Sequence, residues 1–120
     1  MRNRYGVLMV LFDLPMETPE DRRAYNTLRG TLRRNSYIYF HDSVYVKLLR
    51  NISSLGAELE KLKREAPERG SLRALPMSIS GFQRLEIITG ERFDMALFAD
   101  DMVVIGDETD EEKEDDGLDG

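Results

Sequence analysis

Residues Val7–Pro15, VLMVLFDLP, decide the fold. A run of Val, Leu, Met and Phe this long reads as a strand buried on both faces. Pro15 cannot extend a hydrogen-bonded ladder, and it pushes Leu14 into an extended conformation. Asp13 is thereby placed at the carboxyl end of a core strand, with a rigid backbone and a side chain that reaches water. A carboxylate so placed suits acid–base chemistry or metal binding, yet one carboxylate alone does little of either.

The elements that follow are spaced as an α+β domain. Thr18 is a suitable N-cap, Pro19 suits the first helical position, and Glu20 and Asp21 meet the positive end of the helix dipole. This first helix is expected to run to about Arg34, with Tyr25, Leu28 and Leu32 on one face. Arg22, Arg23, Arg29, Arg33 and Arg34 lie on or beside the other. Tyr37–Phe40 and Ser43–Leu49 read as two strands, joined through a short hairpin at His41-Asp42. A second amphipathic helix is expected over about Ser53–Glu65, with Ile52, Leu55, Leu59 and Leu62 in step and Pro67 and Gly70 ending it. Leu72–Ile79 reads as a strand that Pro76 assigns to an edge or a bulge. A short amphipathic segment, Phe82–Ile88, precedes Gly90, and Met102–Ile105 reads as a last short strand. The order β-α-β-β-α-β with an appended strand is the ferredoxin-like arrangement. Two helices then cover one face of a four-stranded antiparallel sheet. Tyr39, Tyr45, Leu49 and Leu75 are expected on the open face, which a two-fold homodimer would cover.

The 120 residues suffice for one domain, expected over residues 1–106. The chain has no cysteine, which excludes disulfides and thiolate metal sites. The apolar N-terminal run is short and lacks a small-residue cleavage site, so no signal peptide is expected. No segment has the apolar length of a membrane span, and a cytoplasmic location is expected. The net charge of -6 misleads. Asp107–Gly120, DETDEEKEDDGLDG, holds nine acids and one lysine, and is expected to be a disordered tail. The body before it has sixteen Lys or Arg against fourteen Asp or Glu, so the acidity of the chain does not argue against a nucleic-acid partner.

LFDLP, then ETPEDRRAY from Glu17, SVYVKLL from Ser43 and SLRALPMS from Ser71 together resemble the small core subunit of the CRISPR adaptation machinery. That family is known as the CRISPR-associated endoribonucleases, and the likeness is strongest to the subgroup accompanying RNA-guided single-effector nucleases. It spans about Tyr5 to Gly106. The resemblance implies a ferredoxin-like fold and a homodimer whose last strand crosses onto the partner's sheet. It also implies a place between two pairs of the integrase subunit, supporting duplex DNA destined to become a spacer. Some members of the family cleave RNA or duplex DNA with magnesium, and Asp13 matches the family's metal-binding candidate. The chain departs at His41, where relatives commonly carry Gln, and in the length of its acidic tail.

Two readings of Asp13 stand at this stage. In one, the two-fold axis of a dimer brings two copies together around a shared Mg²⁺. In the other, Asp13 accepts hydrogen bonds from the Leu14–Thr18 turn. No general base is visible beside it. His41, the only histidine, falls in an expected turn and needs no catalytic explanation. The arginines say more, because duplex DNA is held mainly through phosphates. Arg22–Arg34 carries five arginines and no acid, and Lys47, Arg50 and Arg73 are expected to extend the patch. Ser43 and Tyr45 read as structural. The tail reads as a solubilising extension, or as a weak competitor for the arginine surface.

The sequence thus points to a homodimeric duplex-DNA scaffold of CRISPR spacer acquisition, acting with the integrase subunit. The alternatives are a metal-dependent endonuclease built on paired Asp13 residues, and a ferredoxin-like regulatory interaction module.

Overall fold

Eight residues set the frame of the sheet. In the computed structural model, which describes residues 5–98, strand β1 (Gly6–Asp13) lies between two antiparallel neighbours. Val7, Leu8 and Val10 are wholly buried and Met9 nearly so, which puts apolar side chains on both faces of one strand. Helix α1 (Pro19–Arg34) follows, then β2 (Ile38–His41), β3 (Val44–Leu49), a 3₁₀ turn at Ile52–Ser54, helix α2 (Leu55–Glu65), β4 (Ser71–Ser78) and the short helix α3 (Ile79–Gln83). The sheet is antiparallel throughout, in the order β2-β3-β1-β4, an α+β arrangement compatible with the ferredoxin-like fold.

The chain divides into two compact units, Met1–Arg84 and Leu85–Gly120. The first holds the sheet and the three helices. In the described part of the second, Met95–Phe98 forms a 3₁₀ turn and the Phe93 and Phe98 rings meet at 5.4 Å. The expected strand Met102–Ile105 and the acidic tail lie outside the described residues. No helix among the described residues is long and apolar enough to cross a membrane.

Register explains which side chains meet the helices. Side chains alternate along a strand, and Val10 pairs with Tyr45 and Gly6 with Leu49. Tyr45 and Leu49 therefore share the face of Leu8, Val10 and Phe12, where Leu28 and Leu32 of α1 and Leu62 of α2 complete the core. This corrects the expected open face: Tyr45 and Leu49 are 1% and 3% exposed, whereas Tyr39 and Leu75 are exposed. Leu75 does stand opposite the helices, paired with Met9, but Tyr39 pairs with Tyr45 on the helix side. The second face is also less open than expected. Val46 and Leu48 are buried there, and Phe82 of α3 packs against Phe40 at 5.8 Å between ring centres. Strand β3 is consequently buried on both faces.

Local signals explain the element ends. Thr18 caps α1 by accepting from the Asp21 amide at 3.0 Å, while Asp21 accepts from the Thr18 amide at 3.2 Å. This reciprocal pair satisfies two amides that a helix start otherwise leaves open. His41 ends β2 rather than sitting in the turn, which Asp42 makes with φ +46. The segment expected at Phe82–Ile88 begins instead at Ile79, because the Ser78 hydroxyl caps α3 through the Gly81 amide. Proline 76 falls on the outer strand of the four, the position where its missing donor is tolerated.

One charged contact ties β3 to α2. Lys47 Nζ reaches both carboxylate oxygens of Glu58, at 3.1 and 3.0 Å, and lies 5.3 Å from the centre of the Tyr37 ring. The Tyr37 hydroxyl donates to the same carboxylate at 2.9 Å. Burial first, and then this bond to an anion, raise the Tyr37 pKa far above its ordinary value. The two charged side chains are only 18% and 10% exposed. Removing one partner strands the other, so Glu58→Ala is expected to destabilise the fold by about 3 kcal/mol. The double variant Lys47→Met/Glu58→Leu should recover most of that loss in urea unfolding. A loss in the double variant equal to the sum of the losses in Lys47→Met and Glu58→Leu alone would show that the pair is not coupled.

Candidate functional site

Asp13 stands where the first strand stops. It pairs in register with Ser71 of β4, and its side chain is exposed. No hydrogen bond or ion pair to its carboxylate occurs among the described residues, so the expected turn interaction is replaced by another. The Thr18 amide goes to Asp21 instead. Beneath Asp13 lies Gly70, with φ +95, a conformation glycine adopts without strain. A Cβ there would stand 2.6 Å from the Asp13 carbonyl oxygen and 2.9 Å from Leu14 Cα. The loop before β4 thus presses directly on the Asp-Leu-Pro turn.

The residue before that glycine forms a second tie. Arg69 donates to the buried Asp21 carboxylate at 2.7 Å, joining the α2–β4 loop to the start of α1. Burial alone would raise the Asp21 pKa, but the Thr18 amide and the Arg69 guanidinium outweigh it and hold the acid below its ordinary value. A cleft of about 280 Å³ opens beside this pair, lined by Leu14, Pro15, Ala24 and Pro67 among others. Asp13 is not part of its lining, so cleft and strand-end carboxylate are separate features.

Among the described residues there is no group of three His, Asp or Glu side chains that would hold a metal ion. One chain therefore offers a lone carboxylate at Asp13 and does not by itself fit a Mg²⁺ site. His41 is exposed and paired to its neighbour Asp42 at 3.2 Å, away from any such grouping.

The cations divide by face. Arg22, Arg29 and Arg33 recur at i, i+7 and i+11 and share one edge of α1, while Arg23 and Arg34 share the other. Arg22, Arg23, Arg33 and Arg34 are exposed. Their intramolecular contacts are light: Arg22 donates to the Met16 carbonyl, Arg23 pairs loosely with Glu20 at 3.7 Å, and Arg34 donates to the Thr31 hydroxyl. Arg29 is half-buried. Its Nε donates to the Tyr45 hydroxyl at 3.1 Å, a bond that raises its pKa further, and its guanidinium lies 5.6 Å from the Tyr25 ring centre. Lys47 departs from the expected patch, because its charge is held inside the fold by Glu58. Arg50 is exposed just after β3, and Arg73 is exposed on the sheet face opposite the helices, paired with Leu11. One chain accordingly presents α1 and Arg73 in different directions.

Sequence reasoning missed the Asp21–Arg69 tie and the work of Gly70. Thr18-x-x-Asp21 is a capping pattern legible in the sequence, but nothing local marks a partner 48 residues away.

These features define a small α+β protein whose first helix carries five arginines and no acid after Asp21, with no assembled metal centre among its described residues. Comparison narrows it. The chain is 35% identical over 85 residues to the CRISPR-associated endoribonuclease Cas2 of Streptococcus mutans serotype c (strain NN2025), covering 71% of this chain and 79% of that protein. It is 31% identical over 98 residues to the protein of the same name from Treponema denticola, covering 82% and 97%. The protein of that name from Lacticaseibacillus rhamnosus is 29% identical over 99 residues. No protein-family model matches the chain. The chain belongs to the Cas2 family of CRISPR-associated proteins.

Two predictions follow from the loop geometry. Gly70→Ala should destabilise the fold by more than about 1 kcal/mol, since both φ and contact oppose a side chain. An unchanged melting temperature would show that the turn yields freely. Asp21 has a lowered folded pKa, so its stabilisation is complete above the unfolded carboxylate value of about 3.9 and fades as pH falls through the folded value. The stability difference between the native chain and Asp21→Asn, measured by urea unfolding, should therefore be large at neutral pH and shrink below about pH 4. A difference independent of pH would rule out the charge as its source.

Proposed function

We propose that the protein binds duplex DNA through phosphate contacts, as a homodimeric scaffold in CRISPR spacer acquisition beside the integrase subunit. The observation that carries this reading is α1: four exposed arginines with light intramolecular ties, in a stretch that contains no acid after Asp21. Solvated helix faces usually interleave both signs, whereas phosphate binding needs spread positive charge. A second copy doubles that charge, and the exposed Leu75 beside the half-buried Met77 gives the sheet an apolar margin for such a copy to cover. In this reading the protein holds and positions the duplex, and the integrase subunit supplies the chemistry. The separate direction of Arg73 suits a contact made from another protomer of the assembly.

A second reading, metal-dependent phosphodiester cleavage, is favoured by the exposed Asp13 carboxylate without a partner among the described residues, and by the relatives' name. It requires a second chain, since one chain supplies one carboxylate. Magnesium would then be shared across the dimer by two Asp13 residues.

Duplex affinity measured by fluorescence anisotropy across a salt series separates the two. Binding should weaken steeply with salt, and Arg22→Ala/Arg33→Ala should lower the log–log slope by about two for each protomer that contacts the duplex. Asp13→Ala should leave binding intact. Salt-independent affinity would sink the scaffold reading. Cleavage that needs Mg²⁺ and disappears in Asp13→Ala would establish the nuclease.

A further inference from the structure

We propose that the corner formed by Arg29, Tyr25, Tyr45 and Tyr39 binds one unpaired nucleotide of a strand that continues beyond a duplex. Arg29 takes its phosphate and Tyr39 its base. The proposal rests on the reading that α1 binds phosphates, and extends it from paired to unpaired nucleic acid.

Arg29 is held differently from its neighbours. Arg22, Arg23 and Arg34 make their contacts through a terminal nitrogen, but Arg29 is tied at Nε to the Tyr45 hydroxyl and rests near the Tyr25 ring. Both of its terminal nitrogens are without a partner among the described residues. A guanidinium fixed in this way presents a preset fork of donors, the geometry that fits a phosphate. The other α1 arginines on the same edge, Arg22 and Arg33, carry the backbone to either side.

Tyr39 supplies the other half. Its ring meets Tyr45 edge-on, with centres 5.7 Å apart and planes at 78°. Tyr45 is itself buried and backed by Phe12 at 6.0 Å, so Tyr39 stands on a rigid support. Its hydroxyl accepts from the Asp42 amide at 2.9 Å, which fixes the far end of the ring. Yet Tyr39 remains 54% exposed. It is close enough to Arg29 to contribute to the raised pKa of that guanidinium. A duplex hides the faces of its bases within its own stack, so a base that stacks on this anchored, exposed aromatic is an unpaired one.

The test compares a blunt DNA duplex with the same duplex carrying a short single-stranded extension, by anisotropy on the full chain. The extension should tighten binding by about fivefold or more, the low end of aromatic–base stacking. Tyr39→Ala should bring the ratio of the two affinities to one, and Tyr39→Phe should preserve it. Arg29→Lys, which keeps the charge and loses the fork, should also bring the ratio toward one, and serves if Tyr39→Ala does not fold. No gain from the extension, or a gain that survives both Tyr39→Ala and Arg29→Lys, overturns the proposal and leaves duplex binding standing. Binding of an isolated single strand that depends on Tyr39, with no affinity for blunt duplex, upholds the corner and overturns the scaffold reading.

Discussion

Burial of β1 on both faces is the constraint from which the other features follow. A strand with apolar side chains above and below needs neighbours on both edges and cover on both sides. Its neighbours are β3 and β4. Its helix-side residues Leu8, Val10 and Phe12 gather α1 and α2, and Phe82 of α3 meets Phe40 on the reverse. With the strand immobilised, its last residue is immobilised too, and Asp13 and the start of α1 acquire fixed positions. Gly70 and the Asp21–Arg69 pair then lock the exit of the strand from outside.

Charge is sorted by the same frame. Where a cation falls on the helix side of the sheet it is paired, as Lys47 is by Glu58. Charges at the surface of α1 keep only light ties. The difference is one of desolvation: an interior ammonium without an anion is costly, whereas an exposed guanidinium remains solvated until a phosphate replaces its water. Arg29 sits between these cases, anchored at one nitrogen and open at the others.

Much of this was legible in the residues. Period and punctuation gave β1, α1 with its Thr18 cap, α2, and the outer position of β4 signalled by Pro76. The sheet faces were not legible, because Val44–Leu49 alternates Val44, Val46 and Leu48 with Tyr45, Lys47 and Leu49, and both sets offer large apolar side chains at a period of two. Only the pairing of Val10 with Tyr45 decides between them, and pairing is a long-range property. The same holds for the candidate site. Asp13 and the α1 arginines follow from local pattern, while the inward use of Lys47 and the tie from Arg69 to Asp21 depend on elements brought together by folding.

The outer strands also carry a consequence for contacts between chains. Strand β2 is broken by an irregularity between Tyr39 and His41, and β4 contains Pro76, which has no amide hydrogen to offer. Neither rim of the four-stranded sheet is a uniform template. A visiting strand that tried to zip along β4 would meet a missing donor partway, and one along β2 a change of phase. Indiscriminate stacking of sheets edge to edge into fibrils is thereby discouraged.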